Sequence, residues 1–133
     1  MVKGSCLCGK ISYEIHHLPQ SMYCCHCSMC RKATGSAFAT NMLVREVDLT
    51  VHDSHSLIKA FQSSPGEHRY FCSECGSPLY SKAQARAGMV SIRCGTLDND
   101  PAIRPSEHIY TASKAPWFDI CDALPRYPGE PES

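Results

Sequence analysis

No apolar run in this sequence approaches the roughly 20 residues that a bilayer crossing needs, so no membrane-spanning helix is expected. Charge of one sign is not in excess either. Lys+Arg and Asp+Glu stand at 13 each, which leaves no field to draw the chain onto nucleic acid or an anionic membrane. The opening "MVKGSCLCGK" lacks the apolar stretch of a signal peptide, so export is not expected and a cytoplasmic protein is. Large aromatics are scarce, with one Trp and four Phe in 133 residues, which suits a single domain with a modest core.

Cysteine is what the chain does have, ten in all. Most fall in tight groups, "CLC", "CCHCSMC" and "CSEC". A disulfide between residues two apart would be strained, because bridged Cα atoms prefer about 5.5 Å and a specific torsion. A chain without an export signal also meets a reducing compartment. Metal ligation is therefore the expectation, with Cys94 and Cys121, which stand alone, as small buried hydrophobes.

Along the chain, "KISYEIH" alternates Ile11, Tyr13 and Ile15 on one face. "SAFATNMLV", "LTVH", "SLIKAF", "HRYFC", "PLYSKA" and "MVSIRC" are similar short stretches rich in β-branched or aromatic residues. "SMCRKATG" predicts a short helix stopped by Gly35, and "SKAPWFD" a second brief helical turn with Pro116 early in it. The expected fold is mainly β: a small, zinc-stapled antiparallel domain over residues 1–124 with one or two short helices. The Pro-rich segment 125–133 is expected to be a flexible tail.

The cysteine groups divide into two kinds. Cys8 and Cys75 are each followed by glycine, which tolerates positive φ and lets the chain curl so that backbone N–H groups reach thiolate sulfurs. Cys6, Cys8, Cys72 and Cys75 thus form a four-thiolate set with no open position, a structural zinc site. No cysteine of "CCHCSMC" precedes a glycine. Cys25, Cys27 and Cys30 can face one centre from a single bend, whereas Cys24 and His26 project to the other side of an extended segment. Three protein ligands and an exchangeable position make a reactive zinc site. The alternative is closure by His52, His55, His68 or His108 into an inert Cys₃His site. Cys27 and Cys30 fall at the start of the short helix, where its dipole favours thiolates. Arg31 and Lys32 follow and could offset the negative charge.

The stretches "GSCLCGKISYEI", "CCHCSMCRKATGSAFA", "FCSECGSPLY", "GTLDND" and "EHIY…SKAPWF" together resemble the glutathione-dependent formaldehyde-activating enzyme family, which includes centromere protein V. The resemblance implies a β-tent-like fold with two zincs per chain. The structural zinc falls on Cys6, Cys8, Cys72 and Cys75, and a second, three-cysteine zinc on Cys25, Cys27 and Cys30, which are then the catalytic residues. It also implies condensation of formaldehyde with the glutathione thiol to give S-hydroxymethylglutathione, a carbon–sulfur lyase-type activity. The partners would be a small-molecule thiol and a carbonyl compound, with no nucleic acid and no membrane.

Arg31, Lys32, Arg93 and Arg104 are the candidates for holding glutathione carboxylates. Thr96 or Asp98 of "GTLDND" could stand beside the open zinc, though the segment reads first as a turn. His108 is expected to pair within the fold or to shuttle protons. Trp117 and Phe118 are expected in the core. Two other functional classes remain open: a non-catalytic two-zinc module, and a redox sensor in which Cys24 resolves an oxidised partner.

Overall fold

The structure, a computed structural model, describes residues 1–17, 19 and 21–131. Its strands are β1 (Val2–Ser5), β2 (Ser12–Ile15), β3 (Ser21–Cys25), β4 (Ala39–Arg45), β5 (Leu49–His52), β6 (Ile58–Ser64), β7 (Glu67–Cys72), β8 (Pro78–Ala83), β9 (Met89–Arg93) and β10 (His108–Ile109). Among the described residues one α-helix, α1 (Ser28–Thr34), lies between β3 and β4. The mainly β, largely antiparallel fold read from the sequence is the fold observed. A three-stranded sheet runs β1-β2-β5, and a seven-stranded sheet runs β10-β3-β4-β9-β8-β7-β6. Pairing is antiparallel except between β10 and β3.

Side chains alternate across a strand, so each face of the large sheet is one row set of the register. Met22, Met42, Ile92 and Tyr80 stand opposite one another on successive strands. They pack with Val2, Ile11, Tyr13 and Ile15 of the small sheet and its approach into the main core. Burying such side chains contributes about 1.5–3 kcal/mol each. The rows between them carry Tyr23, Asn41 and Arg93, then Leu43, Ser91, Ser81 and Arg69. Those residues line a cavity on the opposite side of the sheet.

Helix α1 begins where Cys27, in extended conformation, accepts a hydrogen bond from the Cys30 N–H. It ends at Gly35, whose φ of 68° is the left-handed conformation of a C-terminal stop, with its N–H on the Arg31 carbonyl. The second helical turn is placed differently from the expectation. A 3-10 turn covers Thr111–Ser113. "SKAPWFD" instead forms a tight turn closed by the Phe118 N–H on the Ala115 carbonyl. Lys114 holds that turn by donating to the carbonyls of Ala115 and Phe118. Ala115 takes the buried place, and Trp117, at the corner, is 70% exposed rather than in the core. Phe118 is partly exposed and meets Phe38 edge-on at 5.6 Å.

Residues 125–129 also depart from expectation. His108 N–H donates to Pro125 O, Tyr127 N–H to His108 O, and Tyr110 N–H to Gly129 O. The segment pairs alongside β10 instead of fraying, because β10 would otherwise leave these backbone groups unmet. Glu132 and Ser133 lie outside the described residues. Among the described residues no helix is long and apolar enough to cross a membrane.

Candidate metal centres

The sulfurs of Cys6, Cys8, Cys72 and Cys75 all lie within 4.8 Å of one another. Gly9 and Gly76 both have φ of 78°, which lets each loop fold back. Their N–H groups close the turns onto the carbonyls of Cys6 and Cys72. Ile11 N–H then points at Cys6 Sγ at 3.4 Å, and Cys75 N–H at Cys72 Sγ at 3.5 Å. Two sulfur pairs are separated by 3.5 Å (Cys6–Cys8) and 3.8 Å (Cys8–Cys72). The edge of a tetrahedron built on metal–sulfur bonds of about 2.3 Å is about 3.8 Å, so spacing and donor type fit a closed thiolate site. Cys72 is fully buried at its root.

Cys25, Cys27 and Cys30 form a second group, again with all sulfurs within 4.8 Å. Cys25 ends β3 on the cavity face, Cys27 caps α1 and Cys30 sits in its first turn. Among the described residues no histidine or carboxylate joins them. The four histidines considered as closing ligands are therefore not brought there. His108, for one, is committed elsewhere: its Nδ1 meets Nε2 of His26 at 2.8 Å and its Nε2 meets Asp122 at 3.0 Å. Cys24 is buried on the other face of β3, as strand alternation requires, and burial pushes its thiol up. That placement gives no support to a resolving-thiol role.

Crowding sets the proton affinities of the three thiols apart. Hydrogen bonds from Cys25 and Cys27, helped by the fields of Arg69 and Arg93, hold Cys30 far below its ordinary value. Hydrogen bonding to Cys27 and Cys30, with burial, pushes Cys25 far up. The titration belongs to the group as a whole. Burial, followed by repulsion from His108, lowers neighbouring His26 to about 4.

A cavity of about 350 Å³ opens against this group. Three guanidinium groups line it: Arg69, Arg86 and Arg93. Arg69 reaches Cys30 Sγ with Nη1 at 3.6 Å and Glu67 with Nη2 at 3.3 Å. Arg86 is paired with Glu130 at 2.7 Å, so the paired tail segment forms part of the cavity wall. Tyr23 donates or accepts at Ser91 Oγ, 3.0 Å away.

Of the basic residues singled out from sequence, only Arg93 is here. Arg31 donates to Ser113 O, tying α1 to the 3-10 turn, and Arg104 pairs with Asp100. Arg69 and Arg86 were missed; inward facing at alternate strand positions, as in "EHRYFC", is the signal that could have found Arg69. Thr96 and Asp98 serve the small sheet instead of the cavity. Thr96 Oγ1 lies 2.6 Å from the Tyr13 hydroxyl, and Ser5 Oγ donates to Asp98. Cys94 is partly buried and Cys121 is exposed, so only the former approaches its expected role.

The sequence profile described as glutathione-dependent formaldehyde-activating enzyme matches residues 1–113. The chain belongs to that family. It is 33% identical over 131 residues to a Halomonas elongata protein named "Putative glutathione-dependent formaldehyde-activating enzyme", covering 90% of this chain and 81% of that one. An uncharacterised lyase of Schizosaccharomyces pombe is 28% identical over 78 residues, which is 59% of this chain and 55% of the yeast protein. A crystal structure of a Rhodobacter sphaeroides protein superposes with a TM-score of 0.62 at 24% identity. It covers 77% of this chain and 91% of its own, a likeness of fold.

Proposed function

We propose that the protein is a zinc-dependent enzyme of the carbon–sulfur lyase type, joining a small-molecule thiol to a small carbonyl compound. Glutathione and formaldehyde are the pair that the family's name carries. The observation that bears this reading is the convergence of Cys25, Cys27 and Cys30 on a cavity wall, with no fourth histidine or carboxylate ligand among the described residues. Cys6, Cys8, Cys72 and Cys75 would hold the structural zinc and the three-cysteine group the second. Zinc bound there would supply Lewis acidity and lower the pKa of a thiol in its fourth position.

The protein's own groups do the rest. Arg69, in contact with Cys30, offsets the negative charge that three thiolates retain against one divalent cation. Asn41, Ser81 and Ser91 form the polar floor of the cavity on the sheet side. In the reaction the thiol sulfur bonds to the carbonyl carbon as the S–H and C=O π bonds break. The oxygen takes the proton that sulfur gives up. Nothing is oxidised or reduced.

Exchange spectroscopy by NMR tests this with formaldehyde, glutathione and the metal-loaded protein. Acceleration of S-hydroxymethylglutathione exchange by about tenfold or more over buffer is expected, with Cys27→Ser at the buffer rate. A wild-type protein of full metal content that leaves the exchange at the buffer rate overturns the proposal.

A further inference from the structure

Arg93 is a buried cation with no carboxylate to answer it among the described residues. It is 5% exposed, and its Nη1 donates to neutral acceptors, Asn41 Oδ1 at 2.9 Å and Ser91 O at 3.4 Å. Its other N–H groups have no protein acceptor among the described residues. The two carboxylates that line the cavity among the described residues are already engaged, Glu67 by Arg69 and Glu130 by Arg86. The cysteine centre acts on Arg93 through its field, without a hydrogen bond to it. Three thiolates on a divalent cation leave one negative charge, and Arg69 is the guanidinium in contact with it. A second polar group is short of a partner in the same wall: Arg69 Nε is buried with no acceptor. Burying a charge without a counter-ion is unfavourable, and burial already pulls Arg93 below its ordinary value.

We propose that Arg93, seconded by Arg69, forms a carboxylate subsite on the sheet floor of the cavity, so that a substrate enters with an acidic group inward. The inference rests on the cavity being the substrate pocket, and it adds the chemical class of what fits. Arg93 and Asn41 are cross-strand partners on β9 and β4, and Arg69 shares the same face from β7. The subsite therefore stands on the rigid sheet, and a guanidinium fork on a carboxylate makes charge-assisted, oriented hydrogen bonds. Arg69 bridges the two ends of the pocket, since it touches Cys30 and lines the same floor. The acidic group belongs either to the thiol or to a carbonyl compound of the 2-oxo acid class. In the second case the same S–C bond forms and the carboxylate is a spectator.

Matched probes separate these sources on the metal-loaded wild-type protein, with dissociation constants read by NMR titration. The pairs are 2-sulfanylacetate with 2-sulfanylethanol, glyoxylate with glycolaldehyde, and acetate with acetamide. We expect the acidic member of the first or second pair to bind about tenfold or more tightly than its neutral partner. Preference in the first pair assigns the carboxylate to the thiol, and preference in the second assigns it to the carbonyl compound. In folded Arg93→Met the members of that pair should bind alike. Equal binding within every wild-type pair overturns the subsite, as does a preference that survives in Arg93→Met. Acetate preferred over acetamide, with neither thiol bound, keeps the subsite and removes the thiol–carbonyl reaction. Accelerated formaldehyde–thiol exchange without any carboxylate preference does the reverse.

Discussion

Nε2 of His26 lies 2.8 Å from Nδ1 of His108, and the far nitrogen of His108 faces the Asp122 carboxylate at 3.0 Å. The carboxylate accepts, so His108 carries its proton on Nε2 and accepts at Nδ1. His26 must then donate from Nε2, leaving its buried Nδ1 a bare acceptor, the atom that has no partner. Long-range ¹⁵N–¹H correlation should find both rings as the Nε2–H tautomer; an Nδ1–H signal for His26 would break the argument. His108→Ala strands the buried His26 donor and should cost about 1–3 kcal/mol in urea unfolding.

The two cysteine groups should fail differently. Cys72→Ser removes a fully buried sulfur that joins β7 to the first loop, and the variant should lose its metal there and its cooperative fold. Cys27→Ser should leave the circular dichroism spectrum in place with one metal equivalent fewer. Unfolding of the second variant would make both groups structural.

Glycine substitutions can separate backbone strain from steric conflict. Gly76→Ala meets no atom within 4 Å, so only its φ of 78° is penalised, by about 1–2 kcal/mol. Gly4→Ala would put its Cβ 2.1 Å from Cζ of buried Tyr13, and the ring, hydrogen-bonded to Thr96, has little room to give. Its cost should be the larger, on the order of 3 kcal/mol. Equal melting temperatures for the two variants would contradict this packing of β1 on β2.

Arg45 donates to both oxygens of Asp48, at 2.8 and 3.2 Å, and holds that carboxyl below the usual carboxylate range. A carboxylate depressed in the folded state contributes stability above its unfolded pKa of about 3.9 and loses it as the pH falls through the folded value. Between wild type and Arg45→Ala, the stability gap should be level near pH 5 and close as the pH falls from about 4 towards 2. A gap that stays constant down to pH 2 would show that the ion pair is not its source.

Much of this was legible in the residues. Glycine after Cys8 and Cys75 announced two curled loops, and both glycines have positive φ. Strand periodicity marked β2 and β4 to β9, since alternation is a local property. Strand β3 was harder, because its "SMYCC" reads as ligands before it reads as a strand. The two-residue β10 has no pattern of its own and exists only by pairing with β3 and with residues 125–127. The same limit hid the arginines of the cavity. Which strand lies beside which is decided by packing over long separations, so Arg69 and Arg93 could not be placed on one floor from spacing alone.

The two-sided sheet also separates what the protein must keep from what it can change. Leu43, Ser81 and Ser91 line the cavity at register positions that never enter the main core, whose rows run one residue to either side. Exchanging them reshapes the pocket without opening a hole among Met42, Val90 and Ile92. Substrate range can therefore drift within such a chain at little cost in folding, whereas inserting one residue into β4 or β9 would swap floor for core and end both at once.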